Sequence, residues 1–121
     1  MKNLILIILL IISSKFFAQD TITAGQSVDY MDKTMFVTGK VISFKVANEG
    51  KTTNYLNIDR PYPNAVFTVV LSNSYLAEKS LKIEDLQTKT ICVLGKITTF
   101  KDDPKQIPQI YNPTKFAVLV K

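Results

Sequence analysis

The chain has 121 residues, 46% of them hydrophobic and 21% charged, with 15 Lys+Arg against 10 Asp+Glu. One compact domain fits that length, and a multidomain enzyme does not. With no His, no Trp and a single Cys, nucleophilic triads, His-assisted hydrolysis, His/Cys zinc sites and an intramolecular disulfide are excluded at the outset.

The first stretch stands apart in composition. Met1-Lys2-Asn3 is a short positive start, and Leu4 to Ile12 is an unbroken run of Leu and Ile. Ser13 to Gln19 then turns polar and small. This is the layout of a secretory signal peptide over residues 1–19, cut after Ala18 or Gln19. An apolar run this short cannot cross a ~30 Å hydrocarbon core as a helix, so no membrane span is expected after cleavage; an uncleaved anchor is the alternative. Removing residues 1–19 takes away Lys2 and Lys15 and no acid, leaving 13 basic against 10 acidic side chains, a net +3. That modest excess favours polyanions without requiring one.

Residues 20–34 are polar and read as a leader that packs on later elements. The domain proper follows over residues 35–121, and its signals are those of strands. Phe36 to Val46 is long and β-branched, with Gly39 inside it, where a bulge or tight bend lets one strand serve two sides of a barrel. Ala47 to Thr52 is a turn. Thr53 to Ile58 is the second strand, with Leu56 and Ile58 on one face and Tyr55 and Asn57 on the other. Asp59 to Asn64 is a loop stiffened by Pro61 and Pro63. Ala65 to Leu71 is the third strand, with Phe67, Val69 and Leu71 sharing a face.

The strand pattern breaks at Ser72 to Thr88. Asn73-Ser74 can cap a short helix through Lys79, and Ile83 to Leu86 can form a further turn, neither long enough to stand without packing. Strand patterning resumes over Thr90 to Phe100, and a last extended run, Ile107 to Val120, bends near Asn112-Pro113. Cys92, inside Thr90-Ile91-Cys92-Val93-Leu94, reads as a small strand hydrophobe. Phe36 to Lys45 also echoes Cys92 to Lys101 without a gap: Val37/Val93, Gly39/Gly95, Lys40/Lys96, Phe44/Phe100 and Lys45/Lys101 are identical. Either two strands hold equivalent places in a barrel, or two bent strands have converged on one pattern.

Three strands, a helix and two strands, the first and fourth bent at glycine, is the order of an OB-fold: an all-β, five-stranded barrel with a short helix between strands three and four. The stretches VTGKVISFK, YLNIDRPYPNAVFTVVL, TICVLGKI and IPQIYNPTKF resemble OB-fold domains of exported bacterial proteins and those associated with secreted thermonucleases. The resemblance spans roughly residues 35–120 and implies a module that binds nucleic acid or assists a neighbouring nuclease.

OB-folds bind on the face of strands two and three, between the loops after strands one and four. Transferred here, that face holds Tyr55, Asn57 and Thr68. Lys45 and Lys51 border the first loop, Arg60 lies beyond the second strand, and Lys101 and Lys105 border the other loop. Single strands need cations along their phosphates and aromatic rings under their bases; Tyr55, Tyr62 and Tyr111 are the candidate platforms, and Lys40 and Lys96 add charge if their glycines turn them outward. Tyr62, between two prolines, has a second reading as a lid on the barrel. Phe44 and Phe100 read as core or barrel-end plugs. Asp102-Asp103 and Glu84-Asp85 read as solvated turns rather than metal ligands. No catalytic residue, metal or cofactor is implied.

The expected function is therefore that of an exported, periplasmic or extracellular, non-catalytic module that binds single-stranded nucleic acid, with a secreted nuclease or other envelope protein as its candidate partner. The alternative is a periplasmic OB module for a protein, a glycan or a small ligand, without nucleic-acid affinity.

Overall fold

The computed structural model describes residues 21–60, 64–99 and 105–119. The expected signal peptide, Tyr62, Phe100, Lys101 and Asp102-Asp103 lie outside the described residues. The elements are β1 (Thr21–Thr23), a 3-10 helix (Ala24–Tyr30), β2 (Thr34–Lys45), β3 (Thr53–Ile58), β4 (Phe67–Ser72), α1 (Asn73–Glu78), a second 3-10 turn (Ile83–Leu86), β5 (Thr90–Lys96), β6 (Thr98–Thr99), β7 (Pro108–Tyr111) and β8 (Lys115–Leu119). They form one curled, mostly β sheet in the order β6-β7-β4-β3-β2-β5-β8, with β1 alongside β2.

Among the described residues, eight strands replace the five expected. Two of the extra breaks divide runs that the sequence shows as continuous. Ile97 separates β5 from β6, and residues 112–114 separate β7 from β8, because each run changes partner there: β5 pairs with β8 but β6 with β7, and β7 pairs with β4 but β8 with β5. The third addition is β1, which runs parallel to Phe36–Thr38 of β2 while β5 holds the other edge of the same three residues. Three residues in a polar stretch carry no readable strand period.

The two echoing segments lie side by side. Val37 of β2 faces Val93 of β5, Gly39 faces Ile91, and Met35 faces Gly95, so a local two-fold relates the strands. Each strand changes partner two residues past its glycine, at Val41 and at Ile97. β2 pairs with β5 through Lys40 and with β3 from Val41. The backbone repeats the symmetry. Val41 donates to the Lys89 carbonyl and accepts from the Thr88 N–H, both at 2.8 Å, while Ile97 donates to the Lys33 carbonyl at 3.0 Å and accepts from the Asp32 N–H at 2.7 Å. Asp32 and Thr88 both take a left-handed backbone, φ 67° and 70°, which for a β-branched threonine costs on the order of 1–3 kcal/mol.

The glycines themselves are sites of close approach rather than bulges. A Cβ on Gly39 would collide with Ile58 Cγ2, and one on Gly95 would lie 2.5 Å from Ile110 Cγ2. The register shift in β2 falls instead between Val41 and Ser43.

Alternation builds the interior. Leu56 and Ile58 from β3, Phe67, Val69 and Leu71 from β4, Val37 and Val41 from β2, Ile91 and Val93 from β5, and Ile97 and Ile110 are all buried in one cluster. Phe44 packs against that cluster from a partly buried position. Asn54 shares the parity of Leu56 and is buried with it. Its Oδ1 accepts from Ala47 N–H at 2.8 Å, and its Nδ2 donates to the Leu71 carbonyl at 3.1 Å and to Asn73 Oδ1 at 2.8 Å. One amide thereby ties the loop after β2 to the start of α1, and leaving its partners unmet would cost about 1–3 kcal/mol each.

Helix α1 is capped one residue earlier than expected: Ser72 Oγ, at the end of β4, accepts from Tyr75 N–H at 3.1 Å. The Tyr75 ring is buried and its hydroxyl donates to the Pro113 carbonyl at 2.7 Å, which pins the bend between β7 and β8. Burial, helped by the carboxylate of Glu78, raises its pKa above the ordinary 10.0. A raised tyrosine pKa favours the neutral form in the folded chain, so this stabilisation is complete below about pH 10 and is lost as pH climbs from there through the folded pKa. Tyr75→Phe should lose about 1 kcal/mol at neutral pH in urea denaturation, and its deficit relative to the native chain should shrink above pH 10.

Candidate functional site

Register assembles the outer face of β2, β3, β4 and β7 into two lateral rows. The first runs Lys45–Tyr55–Val70–Tyr111 and the second Ser43–Asn57–Thr68–Gln109–Thr98. Residues directly opposite on neighbouring strands share a face, about 4.5–5.5 Å apart. The two tyrosines therefore flank Val70, which is buried between strands whose aromatic side chains stay accessible: Tyr55 is 37% exposed and Tyr111 54%. Neither row contains a carboxylate.

The cations divide between the two ends of this face. Lys45 is exposed in the first row, and Lys51 is exposed in the turn that joins β2 to β3, where its N–H donates to the Asn48 carbonyl at 2.8 Å. Arg60 and Lys105 are exposed at the opposite end, beyond β3 and ahead of β7. The loop at Arg60 is set by Asp59, whose left-handed backbone (φ 65°) turns the chain and whose Oδ1 accepts from Lys40 N–H at 2.9 Å.

Of the residues expected at the site, the structure thus brings Lys45, Tyr55 and Tyr111 into one row and places Lys51, Arg60 and Lys105 at the two ends of the face. Asn57 is corrected. It points outward by parity, yet it is only 7% exposed and its Nδ2 donates to Ser43 Oγ at 3.0 Å. Neighbouring strands on both sides close over a mid-sheet side chain that alternation alone marks as free. Lys40 and Lys96 are exposed but pair with Thr90 and Thr34, on the β2–β5 half of the sheet and away from these rows. Glu84 and Asp85 are exposed in the second 3-10 turn.

Ser43, Gln109 and Thr98 belong to the face and went unread in the sequence. Their positions depend on the β-bulge near Ile42 and on the parallel pairing of β7 with β4, for which no local residue pattern exists. Asn54 did carry a signal: an amide at the parity of Leu56 and Ile58 breaks an apolar pattern. Cys92 is free and buried, and burial raises its thiol pKa, which keeps it neutral and a poor nucleophile. Among the described residues no group of three or more His, Cys, Asp or Glu gathers in a way that could hold a metal ion, and no helix is long and apolar enough to cross a membrane.

Among solved structures, the chain is similar to yeast Stn1 and Ten1, with a TM-score of 0.57 at 14% identity over 84% of this chain and 63% of that one. It is also similar to the asparaginyl-tRNA synthetase of Entamoeba histolytica, with a TM-score of 0.57 at 14% identity over 82% of this chain and 23% of that one. The chain therefore spans less than two thirds of either protein chain it matches. The likeness is one of fold, the OB type. No protein-family model matches the sequence, and no curated protein does.

Proposed function

We propose that this chain is an exported, non-catalytic OB-type module that binds single-stranded nucleic acid on the outer face of β2, β3, β4 and β7. The observation that carries the reading is the Lys45–Tyr55–Val70–Tyr111 row: two accessible aromatic rings on one face, a lysine at one end of the row, further cations at the two ends of the face, and no carboxylate in the row. Bases stack on such rings irrespective of sequence, and the lysines and Arg60 meet phosphates. A tRNA synthetase among the structural neighbours, with RNA in its name, is in keeping with this ligand class. The composition of residues 1–19 supports export, to the periplasm or beyond the cell. The absence of His and the buried, neutral Cys92 support a binding rather than a catalytic role.

Titration of a labelled single-stranded oligonucleotide by fluorescence anisotropy at two salt concentrations tests it. Engagement of about three phosphates by Lys45, Lys51 and Arg60 gives a log–log salt slope near −2. A fourfold rise in monovalent salt should then weaken binding about 20-fold. Salt-independent affinity, or none, would reject this face as a phosphate reader and favour an apolar or glycan ligand.

A further inference from the structure

We propose that two copies of this chain associate through β8, edge to edge and antiparallel, about a two-fold axis at Ala117. β8 ends the pairing path of the sheet, and among the described residues its only strand partner is β5. Among the described residues its second backbone edge has no strand partner. Edge strands are usually protected by lysines, a proline or a bulge. β8 has one lysine at its start and then Phe116-Ala117-Val118-Leu119, followed in the sequence by Val120.

Its side chains are open on both faces. Phe116 and Val118 pair with Val93 and Ile91 and so share the parity of the core, yet Val118 is 40% exposed because the sheet stops beside it. Leu119, on the opposite face, is 44% exposed. A core row that ends in solvent is completed when another strand continues it.

The occupant follows from the strand's self-complementarity. Centred on Ala117, the pairing sets Phe116 against Val118 of the second copy, extending the core row. It also sets Lys115 against Leu119 of the second copy, where the lysine stem covers the leucine and the ammonium stays in water. Moving the axis to Val118 would carry Lys115 and Phe116 past Leu119, the last described residue of β8, and leave only Ala117 against Leu119 and Val118 against itself. Moving it to Phe116 would set Leu119 against Pro113, which has no N–H to donate. The other edge of β8 is already taken by β5, so the association closes at two copies and cannot propagate. The Tyr55–Tyr111 face lies towards the other end of the pairing path and stays free.

Sedimentation velocity on the purified native chain across a dilution series should give the mass of two copies, falling to one on dilution. Val118→Lys should give the single-copy mass throughout, with an unchanged circular-dichroism spectrum. In a Cys92→Ala background, Ala117→Cys should yield a disulfide-linked dimer on oxidation, since opposed residues lie within disulfide reach. Leu119→Cys should not, because its two copies would be about 13 Å apart along the strands. A single-copy mass for the native chain at every concentration, or cross-linking by Leu119→Cys as readily as by Ala117→Cys, overturns the proposal.

Discussion

Replacing Tyr55 and Tyr111 together by alanine is expected to weaken single-stranded oligonucleotide binding by about 30-fold or more, with the domain still folded. Base–aromatic stacking contributes about 1–3 kcal/mol per base, so the loss of two platforms removes at least about 2 kcal/mol. The rings are well exposed, and neither hydroxyl nor ring holds the core cluster together. Their removal uncovers Val70, a small loss against that of a core side chain. The single variants should each lose about 5-fold or more, and a smaller loss for the pair than the product of the singles would mean that the two rings hold one base together across Val70. The salt slope should stay as in the native chain, because no phosphate contact is deleted. Anisotropy titrations at matched salt, alongside thermal melts, read both quantities. Native affinity in the double variant would remove the tyrosines from the site.

The order of strands was legible because apolar alternation in Leu56/Ile58 and Phe67/Val69/Leu71 is regular and turn residues divide the runs. The paired glycines were legible too, though their physical role was not: each makes room for an isoleucine from another strand, a contact set by tertiary register. Tyr55, Tyr111 and Lys45 could be picked as chemistry-bearing residues, but their placement in one row depends on where β2 shifts register and on β7 running parallel to β4. Asn57 shows the limit from the other side. Parity states which face a side chain takes, whereas burial depends on what its neighbours across the sheet, such as Ser43, do with the space. The open edge of β8 is likewise invisible in Phe116-Ala117-Val118-Leu119, since the same run in a central strand would be ordinary core.

Gly39→Val is expected to be the most damaging single substitution in the domain. The added Cβ would collide with Ile58 Cγ2 and stand 3.2 Å from Asp59 Oδ1 and 3.3 Å from Ala24 Cβ. Ile58 cannot swing aside: its γ2 methyl sits on a branched Cβ next to the backbone, and the residue is sealed within the core cluster. Relief must come from separating β2 and β3 at the step where β2 changes partner, which would also disturb the Asp59–Lys40 hydrogen bond of 2.9 Å. Overpacking of this kind costs about 3 kcal/mol, and at 4–8 °C per kcal/mol the melting temperature should fall by roughly 12–24 °C. Gly25→Ala is the matched control, because a Cβ there meets nothing within 4 Å; it should leave the melt within a few degrees of native. Thermal denaturation followed by circular dichroism decides the matter. A Gly39→Val chain that melts with the native protein would mean that β3 does not cross β2 at this glycine, and with that contact would go the turn that places Tyr55 beside Lys45.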